Sequence, residues 1–260
     1  MKLKGVWHNF KTNWFLFEQL VIRDYKQRYK RTALGMLWSV ISPLLTLLIM
    51  KMVFTSVFGR TTPHYTIYIF AGTIVMSFYK EGTKFGMQSI IQNDKILTKI
   101  NVPKYLFLLS KNVSALINFL LTLVVFFVFC AFDHINFGWH MLMLLFPIVC
   151  LIILNIGVGM ILSSMFVFFR DTQYLYDIFL TLLNYVSAIF YTIDRFPAKY
   201  QNLFMLNPVY DMIKYFRMIV IDGVIPSLNF HILCFVYPCI FLVIGALLYK
   251  KYRYEFIYYL

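Results

Sequence analysis

The sequence predicts an all-α membrane protein with six transmembrane helices, and three observations predict it. Of 260 residues, 61% are hydrophobic and only 13% are charged, against about 45–50% and about 25% in soluble domains. A soluble fold of this size has too little interior to hide that much apolar side chain. Apolar runs long enough for a bilayer recur from one end of the chain to the other. The basic residues collect on one side of those runs, as the positive-inside rule requires.

The first element precedes the first long apolar run. Trp7, Phe10, Trp14, Phe17 and Val21 recur at spacings of three and four, which makes one apolar stripe on a helix from Val6 to Arg31. Lys11, Asn13 and Glu18 fall off the stripe. A helix with Trp and basic residues so arranged lies along a membrane surface; a helix packed on its own protein shows the same pattern. The first 33 residues lack a compact apolar core with a small-residue cleavage site, so the first span is expected to be its own insertion signal.

The six expected spans are Leu34 to Phe58, Tyr65 to Tyr79, Tyr105 to Phe132, Met141 to Phe169, Tyr174 to Ile193, and Phe230 to Tyr249. The first is interrupted by Pro43, and the second is short unless it continues towards Ile91. With the N-terminus inside, 18 of the 24 Lys and Arg are inside, five are outside, and Lys51 lies within a span. That asymmetry supports six crossings with both ends cytoplasmic. The net charge of +13 therefore implies contact with anionic lipid, not with nucleic acid.

Two further segments do not span. In Gln92 to Lys104, QNDKILTKINVPK, the residues Ile96, Leu97 and Ile100 share one face of a short helix opposite Lys95 and Lys99. Asn93 or Asp94 is placed to cap it and Pro103 to end it. A docking knob for another protein and a solvated loop both fit. From Asp194 to Ser227, Pro197, Pro208 and Pro226 alternate with Phe196, Tyr200, Phe204, Tyr210, Tyr215 and Phe216. That mixture suits helices that dip into the outer leaflet and return; a plain extracellular loop is the alternative.

Chemistry-bearing groups are sparse. The five His are scattered without metal-ligand spacing, and no Ser, His and acid arrangement stands out. Cys130, Cys150, Cys234 and Cys239 all sit in apolar runs and read as small buried hydrophobes. The phosphate-cradling pattern G-x-x-x-x-G-K-[ST] does not occur, so ATP-driven work requires another chain. No acidic residue is expected within spans one to four, which leaves ion-coupled transport without a carrier group. Lys51 lies near the outer end of the first span, where it snorkels or meets substrate. Asn118, Asn155 and Asn184 bond between helices or line a polar path.

The run RDYKQRYKRTALGMLWSVISPL, Arg23 to Leu44, resembles the start of ABC type 2 polysaccharide export permeases, in Arg28-Tyr29-Lys30, Leu34-Gly35, Leu37-Trp38 and Pro43. Lys99 to Pro103, Phe169-Arg170-Asp171, Leu206-Asn207-Pro208 and the closing KKYRYEF continue the likeness in order over nearly the whole chain. The resemblance implies one transmembrane domain, residues 1–260, with residues 1–33 as a cytoplasmic interface segment and 34–260 as the six-span bundle. It implies that Gln92 to Lys104 is a coupling helix and that Asp194 to Ser227 holds re-entrant helices. Asp94, Lys95, Ile96, Lys99, Ile100 and Pro103 would then contact an ATP-binding subunit. That subunit, in two copies, would carry ATP and Mg, with no cofactor, metal site or catalytic residue in this chain. Two copies of this chain would form the conduit in the inner membrane for a lipid-linked glycan of the O-antigen, teichoic acid or capsular kind. Arg23, Arg28 and Lys30, with Trp38 and Lys51, are candidates for contact with it, since cations suit a phosphate headgroup. Fixing topology and touching anionic lipid are an equal claim on those same cations. An exporter of a small drug or lipid and a membrane enzyme acting on polyprenyl-linked sugars are the rival readings.

Overall fold

The computed structural model describes residues 13–30, 32–54, 63–99, 102–193, 196–253 and 255–259, and among them all regular structure is helical. In chain order come α1 (Trp14–Tyr29), a 3-10 turn (Gly35–Leu37), α2 (Trp38–Phe54), α3 (Tyr65–Gln88) and a 3-10 turn (Ile91–Asn93). Then follow α4 (Asp94–Leu97), α5 (Tyr105–Phe132), a 3-10 turn (Trp139–Leu144), α6 (Leu145–Phe168) and α7 (Thr172–Val186). The chain closes with α8 (Ala198–Phe204), α9 (Pro208–Val220), α10 (Leu228–Tyr252) and a 3-10 turn (Glu255–Tyr258).

Three helical units among the described residues are long and apolar enough to cross a bilayer: Tyr105–Phe132, Trp139–Phe168 and Leu228–Tyr252. The first coincides with an expected span, and the other two extend theirs at the ends. A shorter apolar helix covers Gly35–Met50 and continues to Phe54; positions 55–58 of the expected span fall outside the described residues. The second expected span takes the longer of its two readings. It continues towards Ile91 as helix to Gln88, so Lys80, Glu81 and Lys84 belong to it. An acidic residue therefore lies on the helix that was expected to have none.

α3 is the hub. It packs against α5, α6 and α9, with Phe70 edge-on to Phe126 at 5.5 Å and Phe78 stacked on Phe119 at 4.6 Å. α6 and α10 form the most intimate pair because small residues face each other. A Cβ at Gly157 would stand 2.6 Å from the Phe241 carbonyl carbon, so only glycine fits that crossing.

At one end of the bundle, here called distal, α7 stops early. Its 15 residues span only about 22 Å, and Ala188 turns the chain at a φ of 48°. Such a break strands carbonyls that an apolar surround cannot satisfy. Arg217 of the buried helix α9 satisfies them: its guanidinium donates to Ala188 O (2.9 Å), Ile189 O (3.0 Å) and Tyr68 O (3.2 Å). The same group lies 3.4 Å from the Tyr68 ring centroid. Asn207 starts α9 by accepting from Val209 N and donating to Ser187 Oγ, with Pro208 in the first turn, where its missing N–H costs nothing. Arg217, one of the five cations counted on the outer side, is thus buried within the bundle.

At the opposite, basal end, α1 packs along α5. Phe17 and Leu20 are buried and Trp14 is half exposed, so the contacting face is rotated from the expected Trp14–Phe17–Val21 stripe. Val6, Trp7, Phe10 and Lys11 lie outside the described residues. The rotation has a polar cause: Asp24 faces α5, where its carboxylate accepts from Ser110 Oγ (2.9 Å), Lys111 Nζ (3.2 Å) and Arg23 (2.7 Å). Phe17 and Leu20 join Leu97, Phe107, Tyr249 and Phe256 in one basal cluster.

Arg217→Met is expected to lower the unfolding midpoint of the detergent-solubilised protein, since each buried carbonyl stranded costs about 1–3 kcal/mol. Arg217→Lys should recover only part, because one ammonium does not reproduce the fork. Asp24→Ala should cost about 3–5 kcal/mol by leaving Lys111 buried without its carboxylate. Asp24→Leu/Lys111→Met should recover most of that loss, as a double-mutant thermal-melt comparison would show.

Candidate functional site

A cavity of about 520 Å³ opens between α2, α3 and α5 beside the last turn of α1. Its wall is polar by register. Ser39, Ser42 and Thr46 share one face of α2; Thr73, Ser77 and Glu81 follow each other at spacing four on α3; Asn118 and Thr122 do the same on α5. Thr46, Thr73 and Thr122 each donate to the carbonyl four residues back, at 2.9 Å, 2.9 Å and 3.0 Å. These bonds hold the hydroxyls in place and leave oxygen lone pairs towards the space. Trp38, Phe78 and Phe119 contribute flat apolar surfaces among them. Gly35, with a φ of 53°, makes the turn that brings Trp38 to the cavity mouth.

The basal end of the cavity is closed by an ion pair. Arg28 Nη2 donates to Glu81 Oε2 at 2.7 Å, and Nη1 bonds Oε1, a bidentate fork. Asn118 Nδ2 donates to the same Oε2 at 3.1 Å. Both charged groups are mostly but not wholly buried, with 26% and 14% of their side chains accessible. Arg28 also stands 5.8 Å from the Phe85 ring. Among the described lining residues Arg28 is the cation and Glu81 the anion, so the cavity wall is formally neutral.

The predicted site residues therefore separate. Arg28 and Trp38 line the cavity. Arg23 belongs to the Asp24 cluster on the α5 side of α1, and Lys30 is exposed past the helix end. The Lys51 side chain lies outside the described residues. Asn118 both lines the cavity and bonds a neighbouring helix, while Asn155 donates to Phe78 O and Asn184 accepts from Lys80. The four Cys are unbonded, and Cys130, Cys150 and Cys234 are buried.

The second group of predicted residues forms a basal surface. Gln92, Lys95, Thr98 and Lys99 are exposed, Asp94 is half-buried, and Asp94 Oδ1 accepts from Lys95 N. Leu97 is buried in the basal cluster and Ile96 packs against it. The apolar face thus anchors the segment, and the polar face is the one presented outward. Ile100 lies outside the described residues. Pro103 is half-buried just before α5, next to Lys104, which donates to Arg253 O and sits 5.3 Å over the Phe256 ring. Burial and the nearby Arg253 push the Lys104 pKa below its ordinary value.

Sequence reasoning missed Glu81, Ser77 and Thr73. The signal was present: Thr73, Ser77 and Glu81 recur every four residues inside an otherwise apolar run. It also missed Asp211, fully buried in α9 with neither carboxylate oxygen hydrogen-bonded among the described residues.

The family described as ABC-2 type transporter matches residues 16–221 of this chain. The O-antigen export system permease protein RfbA of Klebsiella pneumoniae is 29% identical over 253 residues, 93% of this chain and 95% of that protein. The protein of the same name from Myxococcus xanthus is 28% identical, over 82% of each chain. The polysialic acid transport protein KpsM of Escherichia coli is 26% identical over 90% of this chain and 92% of its own length.

Proposed function

This chain belongs to the ABC-2 type transporter family, and we propose that it is the membrane permease subunit of an ATP-driven exporter of a lipid-linked polysaccharide. The cargo class comes from the relatives, whose names are those of O-antigen and polysialic acid export proteins. The observation that carries the reading in this chain is the cavity: hydroxyls and a carboxamide set between aromatic rings. Sugars present hydroxyls at their edges and apolar C–H surface on their faces, and that wall suits both. The chain works as a transport subunit, not as an enzyme.

In this reading the basal end is cytoplasmic and the bundle crosses the inner membrane six times, with α2, α3, α5, α6, α7 and α10 as the spans and both termini inside. α8 and α9 form the re-entrant outer pair, with Arg217 covering the backbone that such helices leave bare. Two copies enclose the conduit, which agrees with the exposed apolar faces on α2 (Leu45, Leu48, Ile49) and α7 (Leu175, Ile178, Leu182). Two ATP-binding subunits, carrying ATP and Mg, dock on the polar face of α4. Their closure moves the segment from Gln92 to Lys104, and α5 transmits the movement to the cavity wall. Arg28 meets the phosphate headgroup at the cytoplasmic mouth while the glycan runs past Trp38 along α2.

Co-expression with the ATP-binding partner tests the docking. Lys95→Glu/Lys99→Glu is expected to abolish co-purification while leaving the permease's own melting temperature unchanged, since both side chains are exposed. Failure of any ATPase to co-purify with the wild type in mild detergent would remove the exporter reading. Ser42→Leu/Ser77→Leu fills the cavity with apolar volume, and is expected to reduce surface glycan about tenfold or more with the complex still assembled. Undiminished glycan in that variant would move the cargo path elsewhere.

A further inference from the structure

Glu81 is out of place in a site that receives an anion. A cavity built only to attract a phosphate would leave the Arg28 fork open, yet here a carboxylate occupies it, held also by Asn118. The pair closes the basal end of the cavity, with part of both side chains still accessible. Bilayer phospholipids supply singly charged phosphodiester headgroups there in great excess over any cargo.

We propose that Glu81 is a specificity-determining residue that holds Arg28 against singly charged phosphodiester lipids and yields it to a polyprenyl pyrophosphate headgroup. This rests on reading the cavity as the site of a lipid-linked glycan. A phosphodiester brings one negative charge, the same as the carboxylate it must displace. With a single phosphoryl group it replaces one anionic fork partner by another and gains little in exchange. A pyrophosphate brings more charge and spreads acceptor oxygens over two phosphoryl groups. It takes the guanidinium bidentately and keeps further oxygens for the hydroxyls of Ser42 and Ser77 that line the same wall. Asn118 donates to Glu81 in the closed state and is placed to hold that carboxylate once Arg28 leaves it. Selectivity thus comes from a built-in competitor, and discrimination is set by how much better than a carboxylate the ligand binds Arg28.

The test uses the permease complexed with its ATP-binding partner and measures binding of two probes, a polyprenyl pyrophosphate and phosphatidylglycerol, by native mass spectrometry. Inorganic pyrophosphate is a third arm that separates recognition of the headgroup alone from recognition of the lipid. Wild type is expected to prefer the pyrophosphate lipid. Glu81→Gln, which keeps the shape and an acceptor for Asn118, is expected to bind more phosphatidylglycerol and to lower the preference about tenfold. Glu81→Asp keeps the charge and is expected to keep the preference, which separates a filter from a merely structural contact. An unchanged preference in Glu81→Gln overturns the filter and leaves the exporter reading standing. A wild-type complex that binds neither lipid removes the glycan-lipid reading, and the filter with it.

Discussion

Everything at the distal end depends on the Arg217 guanidinium. A helix that stops partway through an apolar layer exposes carbonyls that neither lipid nor side-chain hydrocarbon can satisfy. Two such carbonyls, from Ala188 and Ile189, converge with the Tyr68 carbonyl of α3 on one planar cation. A fork of five donors serves acceptors from the turn after α7 and from α3 at once. Because Arg217 belongs to α9, its bonds also draw that helix into the bundle and fix where the α8–α9 hairpin sits. Gly72 leaves the room: a Cβ there would stand 2.9 Å from Arg217 Nη2.

The same logic organises α3 nearer the base, with ion pairs in place of carbonyls. Lys80 reaches Asn184, Glu81 reaches Arg28, Thr83 accepts from Tyr176 and Lys84 reaches Asp177. Each polar side chain leaves α3 in the direction of a neighbour that answers it, so the helix carries charge without carrying it unpaired. The cavity occupies the one sector, between α2 and α5, where hydroxyls face space and not a partner. A polar helix at the centre of an apolar bundle thereby serves both to lock α7 and α1 in place and to wet one wall.

How far the fold was legible follows from what periodicity and composition measure. α5 was readable at both ends because its 28 residues are apolar or small and polar except for the single Lys111, one turn and a half from its start. The end of α3 was left open between Tyr79 and Ile91 because three charged residues within five positions, Lys80, Glu81 and Lys84, resemble a loop; their partners sit on other helices, which composition does not register. The role of the Ile96 stripe was left open by its chemistry, because five residues do not say whether an apolar face meets a stranger or its own bundle, where Leu97 is buried and Ile96 packs. The α1 stripe holds at Phe17 and Val21 and fails at Trp14, because Asp24, polar in sequence, is turned inward to Lys111 and Ser110. Arg28 and Trp38 were found through likeness to a family; Glu81 required the distance between helices far apart in sequence.

The basal cluster joins side chains from opposite extremes of the described chain. Phe17 and Leu20 of α1 meet Tyr249 and Phe256, with Leu97 between them. Loops that long close late, after local helices have formed. α1 has α5 to pack on as soon as that helix is made, but the cluster over Leu97 is complete only once α10 is in place and Phe256 has folded under it. An ATP-binding partner that recognises the seated α4 segment would ignore those earlier stages. Assembly of the transporter would then be ordered in time by the protein's own packing, with half-made permeases excluded from the complex.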